Sequence, residues 1–307
     1  MLGKRKNIHF IGIGGIGMSG MAELLHNLGH TISGSDILES GRTAHLEKIG
    51  INIKIGHSEN NIGESDLVVY SSAVKGDNCE IEESKKMNIP VIKRAEMLGE
   101  LLKVKTNSIA VAGTHGKTTT ASMLSIILNK SNHKPTLIVG GIVQEFQSNT
   151  ILGDGDTIIV EADEYDRTLL SLKPSMSVVT NIDYEHSDCY SDLSSLKNTF
   201  LTFINSTSFY GMNVICYDDP NIKSIINDIK RPYLKYGKTV ECNIRYENPS
   251  YNQTNSSFDL ISSKDGGKRF IDEYIQLRVV NHSDPCIASI VNFAVGYLSD
   301  SNDRVFR

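Results

Sequence analysis

The residues best suited to chemistry lie in one short stretch, Val111-Ala112-Gly113-Thr114-His115-Gly116-Lys117-Thr118-Thr119-Thr120. The apolar run 108–112 reads as a buried strand, and 121–128 reads as a helix with an apolar face. Glycines in a strand-to-helix turn aim backbone N–H groups and the positive end of a helix at one point, which suits a phosphate. Lys117 can neutralise outer phosphates there, and the Thr118 hydroxyl can sit on Mg²⁺. The pattern is the short form GTxGKTT, because Val111 stands where a full GxxxxGK[ST] has its first glycine. The plainer reading, a turn that is merely rich in small residues, is opposed by the strand before it and the helix after it.

A second glycine turn, Gly12-Ile13-Gly14-Gly15-Ile16-Gly17, satisfies GxGxxG, again after a strand and before a helix. Its glycines permit a tight turn and close approach of backbone to a pyrophosphate, and Asp36 lies at the distance where an acid usually holds a ribose. NAD, FAD and a UDP-sugar all carry a pyrophosphate, so the turn alone leaves the nucleotide open. Two more apolar runs end in polar residues. The first, Thr157-Ile158-Ile159-Val160-Glu161-Ala162-Asp163-Glu164, puts a carboxylate at a strand end, where it can serve Mg²⁺. Glu161 is the first choice; Asp163, Glu164 and Asp166 read as solvated loop acids. The second, 178–186, runs into Asp183, Glu185 and His186. His186 is open to two readings, a metal ligand through one neutral ring nitrogen or a hydrogen-bonded surface residue.

Two alternating strand–helix series hold these turns. In the first, strands at 7–12, 31–33, 66–71 and 90–92 alternate with helices at 17–28, 42–49, 79–87 and 95–103. In the second, strands at 108–112, 136–139, 157–160, 177–180 and 213–216 go with helices at 118–130, 192–205 and 221–229. Such alternation predicts an α/β chain with parallel sheets. The expected organisation is a Rossmann-like domain over 1–106 and a P-loop-type ATPase domain over 107–307. From 233 to 280 the pattern changes to short strands with polar turns at 248–255 and 264–267, which predicts an added antiparallel layer. A helix is expected over 285–298, with Pro285 near its start.

Composition narrows the classes. A net charge of −5 gives no sign of nucleic-acid binding, and no apolar run is long enough to span a bilayer. The basic start leads straight into a strand, unlike a secretion signal. Five scattered cysteines without a CxxC fit free thiols in a reducing cytoplasm. No local arrangement suggests a serine or cysteine nucleophile.

Taken together, these residues resemble the Mur ligases of peptidoglycan synthesis. The likeness is carried by 9–20, Ser33-Gly34-Ser35-Asp36, Ser71-Ser72-Ala73, Arg94-Ala95-Glu96-Met97-Leu98, the turn 113–119, Glu161-Ala162-Asp163-Glu164, Thr180-Asn181-Ile182-Asp183-Tyr184-Glu185-His186, Phe209-Tyr210-Gly211 and Asp218-Asp219-Pro220. The resemblance implies that the first domain binds UDP-N-acetylmuramate rather than a dinucleotide. Gly12, Gly14, Gly15, Ile16 and Gly17 would lie on the pyrophosphate, with Asp36, His57, Ser71 and Ser72 as further contacts. Gly113, Thr114, His115, Gly116, Lys117, Thr118, Thr119 and His282 would hold ATP, and Thr118, Glu161 and His186 would ligate two Mg²⁺ ions. Lys117, Glu161 and His186 carry the implied catalysis. The implied reaction forms an acyl phosphate from the lactyl carboxylate and ATP, and the amine of L-alanine then displaces phosphate.

Two departures from the family's pattern stand out. Ser283 and Cys286 occupy positions where it has two asparagines that meet the adenine, so each loses an amide able both to donate and to accept. The family's third domain, which closes over the site, has no counterpart in this chain. Closure of that kind excludes water from a reactive intermediate, so weak or absent ligase activity is expected of the chain by itself. The alternatives are a non-catalytic UDP-sugar or nucleotide-binding remnant, or one half of a split ligase completed by a separately encoded C-terminal domain. A third, an NAD-dependent oxidoreductase, rests on GxGxxG alone, and the GKTT turn counts against it.

Overall fold

A computed structural model describes residues 6–186, 188–251, 256–262 and 269–271. The chain divides into two compact units, Met1–Thr106 with Pro135–Ile158, and Asn107–Lys134 with Ile159–Arg307.

The first sheet contains β1 (Asn7–Ile11), β2 (Thr31–Asp36), β3 (Asn52–Ile55), β4 (Leu67–Tyr70) and β5 (Val91–Lys93). The strands are parallel, in the order β3-β2-β1-β4-β5. Helices α1 (Ile16–Asn27), α2 (Gly41–Lys48), α3 (Cys79–Lys86) and α4 (Arg94–Leu101) connect them. β1 sits at the centre; Ile8, His9, Phe10 and Ile11 are all buried, as expected of a strand covered on both faces. The order reverses between β1 and β4, which opens a crevice at the carboxyl ends of these strands. Local signals set the helix starts: Ser40 and Thr43 form a capping box on α2, and Asn78 caps α3.

The second sheet runs β15-β14-β13-β12-β11-β10-β6-β9-β7-β8 among the described residues. Its strands are β6 (Asn107–Ala112), β7 (Thr136–Val143), β8 (Ser148–Ile151), β9 (Thr157–Glu161), β10 (Met176–Val179), β11 (Met212–Cys216), β12 (Tyr233–Gly237), β13 (Ile244–Tyr251), β14 (Ser256–Ser262) and β15 (Arg269–Ile271). β6, β10, β11 and β12 are parallel, whereas β13, β14 and β15 pair antiparallel at one edge. The helices are α5 (Lys117–Lys130), α6 (Leu193–Ser206) and α7 (Pro220–Ile225). Asp192 caps α6, and Asp219 caps α7 with Pro220 at its first turn.

The α/β character and the parallel sheets agree with the sequence pattern, and the differences are local. β3 was not expected, because only Ile53 of its four residues is buried and it carries no apolar run. β8 was missed for a similar reason: its Ser-Asn-Thr sequence reads as a turn, and pairing with β7 makes it a strand. The helices expected at 95–103 and 221–229 end earlier and close in 3₁₀ turns, Leu102–Val104 and Ile226–Asp228. The turn expected at 248–255 is partly strand. β13 runs to Tyr251 through a register shift between Glu247 and Ser250, which accommodates Asn248-Pro249. The expected turn at 264–267 and helix at 285–298 lie outside the described residues, as do His282, Ser283 and Cys286.

Candidate functional site

At the end of β6 the chain turns at Gly113 with φ 141°. A Cβ there would overlap the Thr180 hydroxyl and approach the Asn181 amide nitrogen to 3.2 Å, so both conformation and space require glycine. Gly116, at φ 81°, is the N-cap of α5. The residues after β10 hold the turn. Thr180 Oγ1 donates to the His115 carbonyl at 2.7 Å, and Asn181 Oδ1 accepts from the His115 amide at 2.8 Å. Thr114 Oγ1 accepts from the Asp183 amide at 2.8 Å. The two polar stretches seen in the sequence are thus a single structure, with β10 adjacent to β6 in the sheet.

Lys117, in the first turn of α5, folds back across its own loop. Its Nζ donates to the carbonyls of Gly113 at 2.7 Å and Thr114 at 3.2 Å, and to Glu164 Oε2 at 2.8 Å. These three bonds use all three ammonium donors. Glu164 corrects an expectation: it is not a solvated loop acid but fully buried. Burial pushes its carboxyl above the ordinary carboxylate range, and the hydrogen bond and charge of Lys117 offset this only in part. Its other oxygen, Oε1, has no hydrogen bond and lies 3.4 Å from His186 Nε2. Tyr190, itself buried, donates its hydroxyl to the Glu164 carbonyl at 2.7 Å. Burial pushes the Tyr190 hydroxyl up to about 12, so it stays a donor. Asp163 remains partly exposed, 3.9 Å from Lys117 Nζ.

Thr118 and Glu161 meet directly: Thr118 Oγ1 donates to Glu161 Oε2 at 2.8 Å. Neighbouring oxygens around an octahedral Mg²⁺ at roughly 2.05 Å stand about 2.9 Å apart. The pair is therefore already spaced as adjacent ligands, and its hydroxyl–carboxylate chemistry suits a hard cation. His186 adopts φ 57° and packs its ring edge-on to Tyr165 at 5.4 Å. Its ligand nitrogen groups with carboxylates of Asp163 and Glu164, all within 4.8 Å of one another. The structure thus draws His186 and Lys117 to Glu164, and Thr118 to Glu161.

The first sheet carries the other glycine turn. Gly12 has φ 79°, and its amide and that of Ile13 donate to the Ser35 carbonyl at 2.8 and 3.0 Å. Asp36 Oδ2 accepts from the Gly14 amide at 2.7 Å, and a Cβ on Gly14 would stand 2.9 Å from that oxygen. Asp36 therefore braces the turn. At Gly17 a Cβ would come 2.8 Å from Arg94 Nη1, which places that guanidinium at the start of α1. Ser71 follows β4, donates its amide to the Ile11 carbonyl at 3.1 Å, and packs its Cβ against Gly12. Ser72 is exposed beside it. His57 is half-buried, with its Nδ1 edge against Ser35 and Glu80. Gly12, Gly14, Gly15, Ile16, Gly17, Asp36, Ser71 and Ser72 all lie at the carboxyl ends of β1, β2 and β4, the side on which ligands bind in open α/β sheets.

Sequence reasoning missed Glu80, Arg94 as a neighbour of the turn, and Glu164 as the partner of Lys117. Glu80 looks like any first-turn helix acid, and nothing local marks it as buried.

Residues 7–106 match the family model described as Mur ligase family, catalytic domain, and residues 111–278 match the Mur ligase middle domain. The chain belongs to the Mur ligase family. It is 48% identical over 258 residues to the UDP-N-acetylmuramate–L-alanine ligase of Syntrophotalea carbinolica, which covers 84% of this chain and 56% of that protein. It is 45% identical over 261 residues to the enzyme of the same name from Salinibacter ruber, covering 85% and 55%. The chain thus spans a little over half the length of these relatives. The crystal structure of UDP-N-acetylmuramate–alanine ligase from Thermotoga maritima superimposes with a TM-score of 0.79 at 28% identity, over 95% of this chain and 65% of that one. A Neisseria UDP-N-acetylmuramate:L-alanyl-γ-D-glutamyl-meso-diaminopimelate ligase shares the fold, with a TM-score of 0.83 at 23% identity. Among the described residues, no helix is long and apolar enough to cross a membrane.

Proposed function

We propose that this chain provides the sugar-nucleotide and ATP sites of a cytoplasmic ligase that joins L-alanine to UDP-N-acetylmuramate in peptidoglycan synthesis. The observation that carries the reading is the Lys117–Glu164 and Thr118–Glu161 constellation at the mouth of a strand–turn–helix. The second glycine turn, with Asp36 and Ser71 beside it, supports a nucleotide diphosphate on the first sheet. The names of relatives nearly half identical in sequence supply the substrates.

The chemical demand is control of negative charge. A lactyl carboxylate must reach the γ-phosphorus of ATP, and a polyanion repels it. Lys117 supplies a cation at the turn, and the first-turn amides of α5 add the positive end of a helix. Binding phosphate requires Lys117 to trade its loop carbonyls for phosphate oxygens, while Glu164 keeps the stem aimed. Thr118, Glu161 and His186 would hold Mg²⁺, which when bound neutralises the charge developing on the phosphate oxygens. A carboxylate oxygen then bonds to phosphorus as ADP leaves. The amine of L-alanine attacks the carbonyl carbon of the resulting acyl phosphate, phosphate departs with the electron pair of its bond to carbon, and the nitrogen gives up one proton to the departing phosphate or to water. Glu161 and Glu164, held as acceptors, do not act as covalent nucleophiles in this scheme.

The test is ligand-dependent melting of the 307-residue chain with UDP-N-acetylmuramate, ATP plus Mg²⁺, and NAD. Binding raises the melting temperature by mass action. Shifts with the first two support the reading. A shift with the sugar nucleotide but not ATP would leave a binding module, and a shift with NAD alone would sink it. Alanine-dependent phosphate release, with and without a separately expressed C-terminal domain, then measures the activity.

A further inference from the structure

A buried polar network lies under the first nucleotide turn, and the reading above leaves it unused. Glu80, in the first turn of α3, is fully buried. Its Oε1 accepts from the Ser58 amide at 3.2 Å and from Asn61 Nδ2 at 2.5 Å. Its Oε2 accepts from Ser35 Oγ at 2.6 Å, and lies 3.4 Å from His57 Nδ1 and 3.6 Å from His9 Nε2. Burial pushes this carboxyl up, but the nearby His9 ring and hydrogen bonds from Ser35 and Asn61 more than offset that and hold it at about 2. Glu80 is therefore ionised at neutral pH and can only accept.

That fixes the protons around it. A serine hydroxyl has one proton, and that of Ser35 goes to Glu80. Ser35 Oγ also lies 3.1 Å from His57 Nδ1, and with its proton committed it can only accept there. Nδ1 of His57 consequently carries the hydrogen, and the lone pair of the neutral ring sits on Nε2. The His57 side chain is 18% exposed while the carboxylate against its Nδ1 edge is 0% exposed, so its outward edge is the one bearing Nε2. His57 follows β3 and stands beside the end of β2, where the Gly56 amide donates to the Asp36 carbonyl at 2.8 Å. In nucleotide-binding sheets of this order, the nucleoside lies over the end of the second strand.

We propose that Glu80 and Ser35 lock His57 as a hydrogen-bond acceptor at Nε2, and that this atom selects the nucleobase by accepting from a ring N–H. Uracil carries such an imide hydrogen at N3; cytosine presents a lone pair there. The two lone pairs would repel, so the site reads uridine against cytidine. Glu80 is a positioning residue in this scheme, acting only through His57. The inference rests on the reading that the first sheet binds a UDP-linked sugar.

Two measurements test it on the whole chain. In calorimetric titrations at about pH 8, UDP binds, and both CDP and N3-methyl-UDP bind at least roughly ten-fold more weakly, the cost of one lost hydrogen bond facing an unpaired acceptor. Equal affinities for the three would overturn the selection while leaving the sugar-nucleotide reading intact. Failure to bind either UDP or UDP-N-acetylmuramate would remove that reading and the inference with it. Independently of any ligand, long-range ¹H–¹⁵N spectra of the neutral ring assign the hydrogen of His57 to Nδ1, and a hydrogen on Nε2 overturns the lock. In the Glu80→Gln variant the His57 signal becomes a mixture of tautomers and the preference for UDP over CDP shrinks; an unchanged tautomer and preference would show that Glu80 does not set them.

Discussion

Acidification should weaken the first unit through Glu80, and the size of the effect can be worked out. The carboxyl titrates at about 2 in the folded chain against an ordinary 4.5. Because the folded value is the lower one, the unfolded chain takes up the proton first as pH falls. The stabilisation is complete above 4.5 and drains away as pH drops toward 2. Displacement over that interval corresponds to about 3 kcal/mol at roughly 1.4 kcal/mol per unit, of which about 1.4 kcal/mol is lost by about pH 3.5. The assay is urea unfolding at a series of pH values, read by hydrogen exchange in peptides spanning β1 and β2. The Glu80→Gln variant cancels contributions from every other acid. Wild type should lose stability more steeply than the variant below pH 5, by about that 1.4 kcal/mol at about pH 3.5. Parallel pH profiles would refute the reasoning. So would a carboxyl ¹³C titration placing Glu80 of the wild-type chain near 4.5.

Three further outcomes follow from the packing. Lys117→Met should abolish the melting shift with ATP and Mg²⁺, and should destabilise the chain by about 3 kcal/mol by stranding buried Glu164 without its cation. Lys117→Met combined with Glu164→Gln should recover most of that loss in chemical denaturation; simple additivity would refute the pairing. Gly113→Ala forces a side chain into φ 141° and against Thr180; a loss of at least about 2 kcal/mol is expected in urea melts, with ATP binding lost. At Gly20, in α1, a Cβ would run into the Thr150 hydroxyl. Gly20→Ala should cost about 1–3 kcal/mol by overpacking, and adding Thr150→Ala should restore the melting temperature. Failure of that rescue would mean that α1 and β8 are not in contact.

Much of the candidate site was legible along the chain. Glycine spacing, the strands before each turn and the helices after them are local properties, so 12–17 and 113–119 announce themselves. The acid Glu161 at the end of an apolar run, and Asp36 beyond the first turn, are readable for the same reason: a strand's end is marked by where its apolar run stops. Edge strands were less legible. β3 and β8 bury little, and their pairing rather than their composition makes them strands.

The sequence by itself determined where backbone must turn tightly and which side chains could meet a phosphate or a cation there. It left undecided which acids lose their water. Glu80 and Glu164 carry no local sign of burial, yet Glu80 lies against two histidines and Glu164 holds Lys117. Turn geometry follows from the residues within a few positions, whereas burial and its effect on charge depend on which distant strands and helices cover a carboxylate. Only the tertiary structure makes that choice.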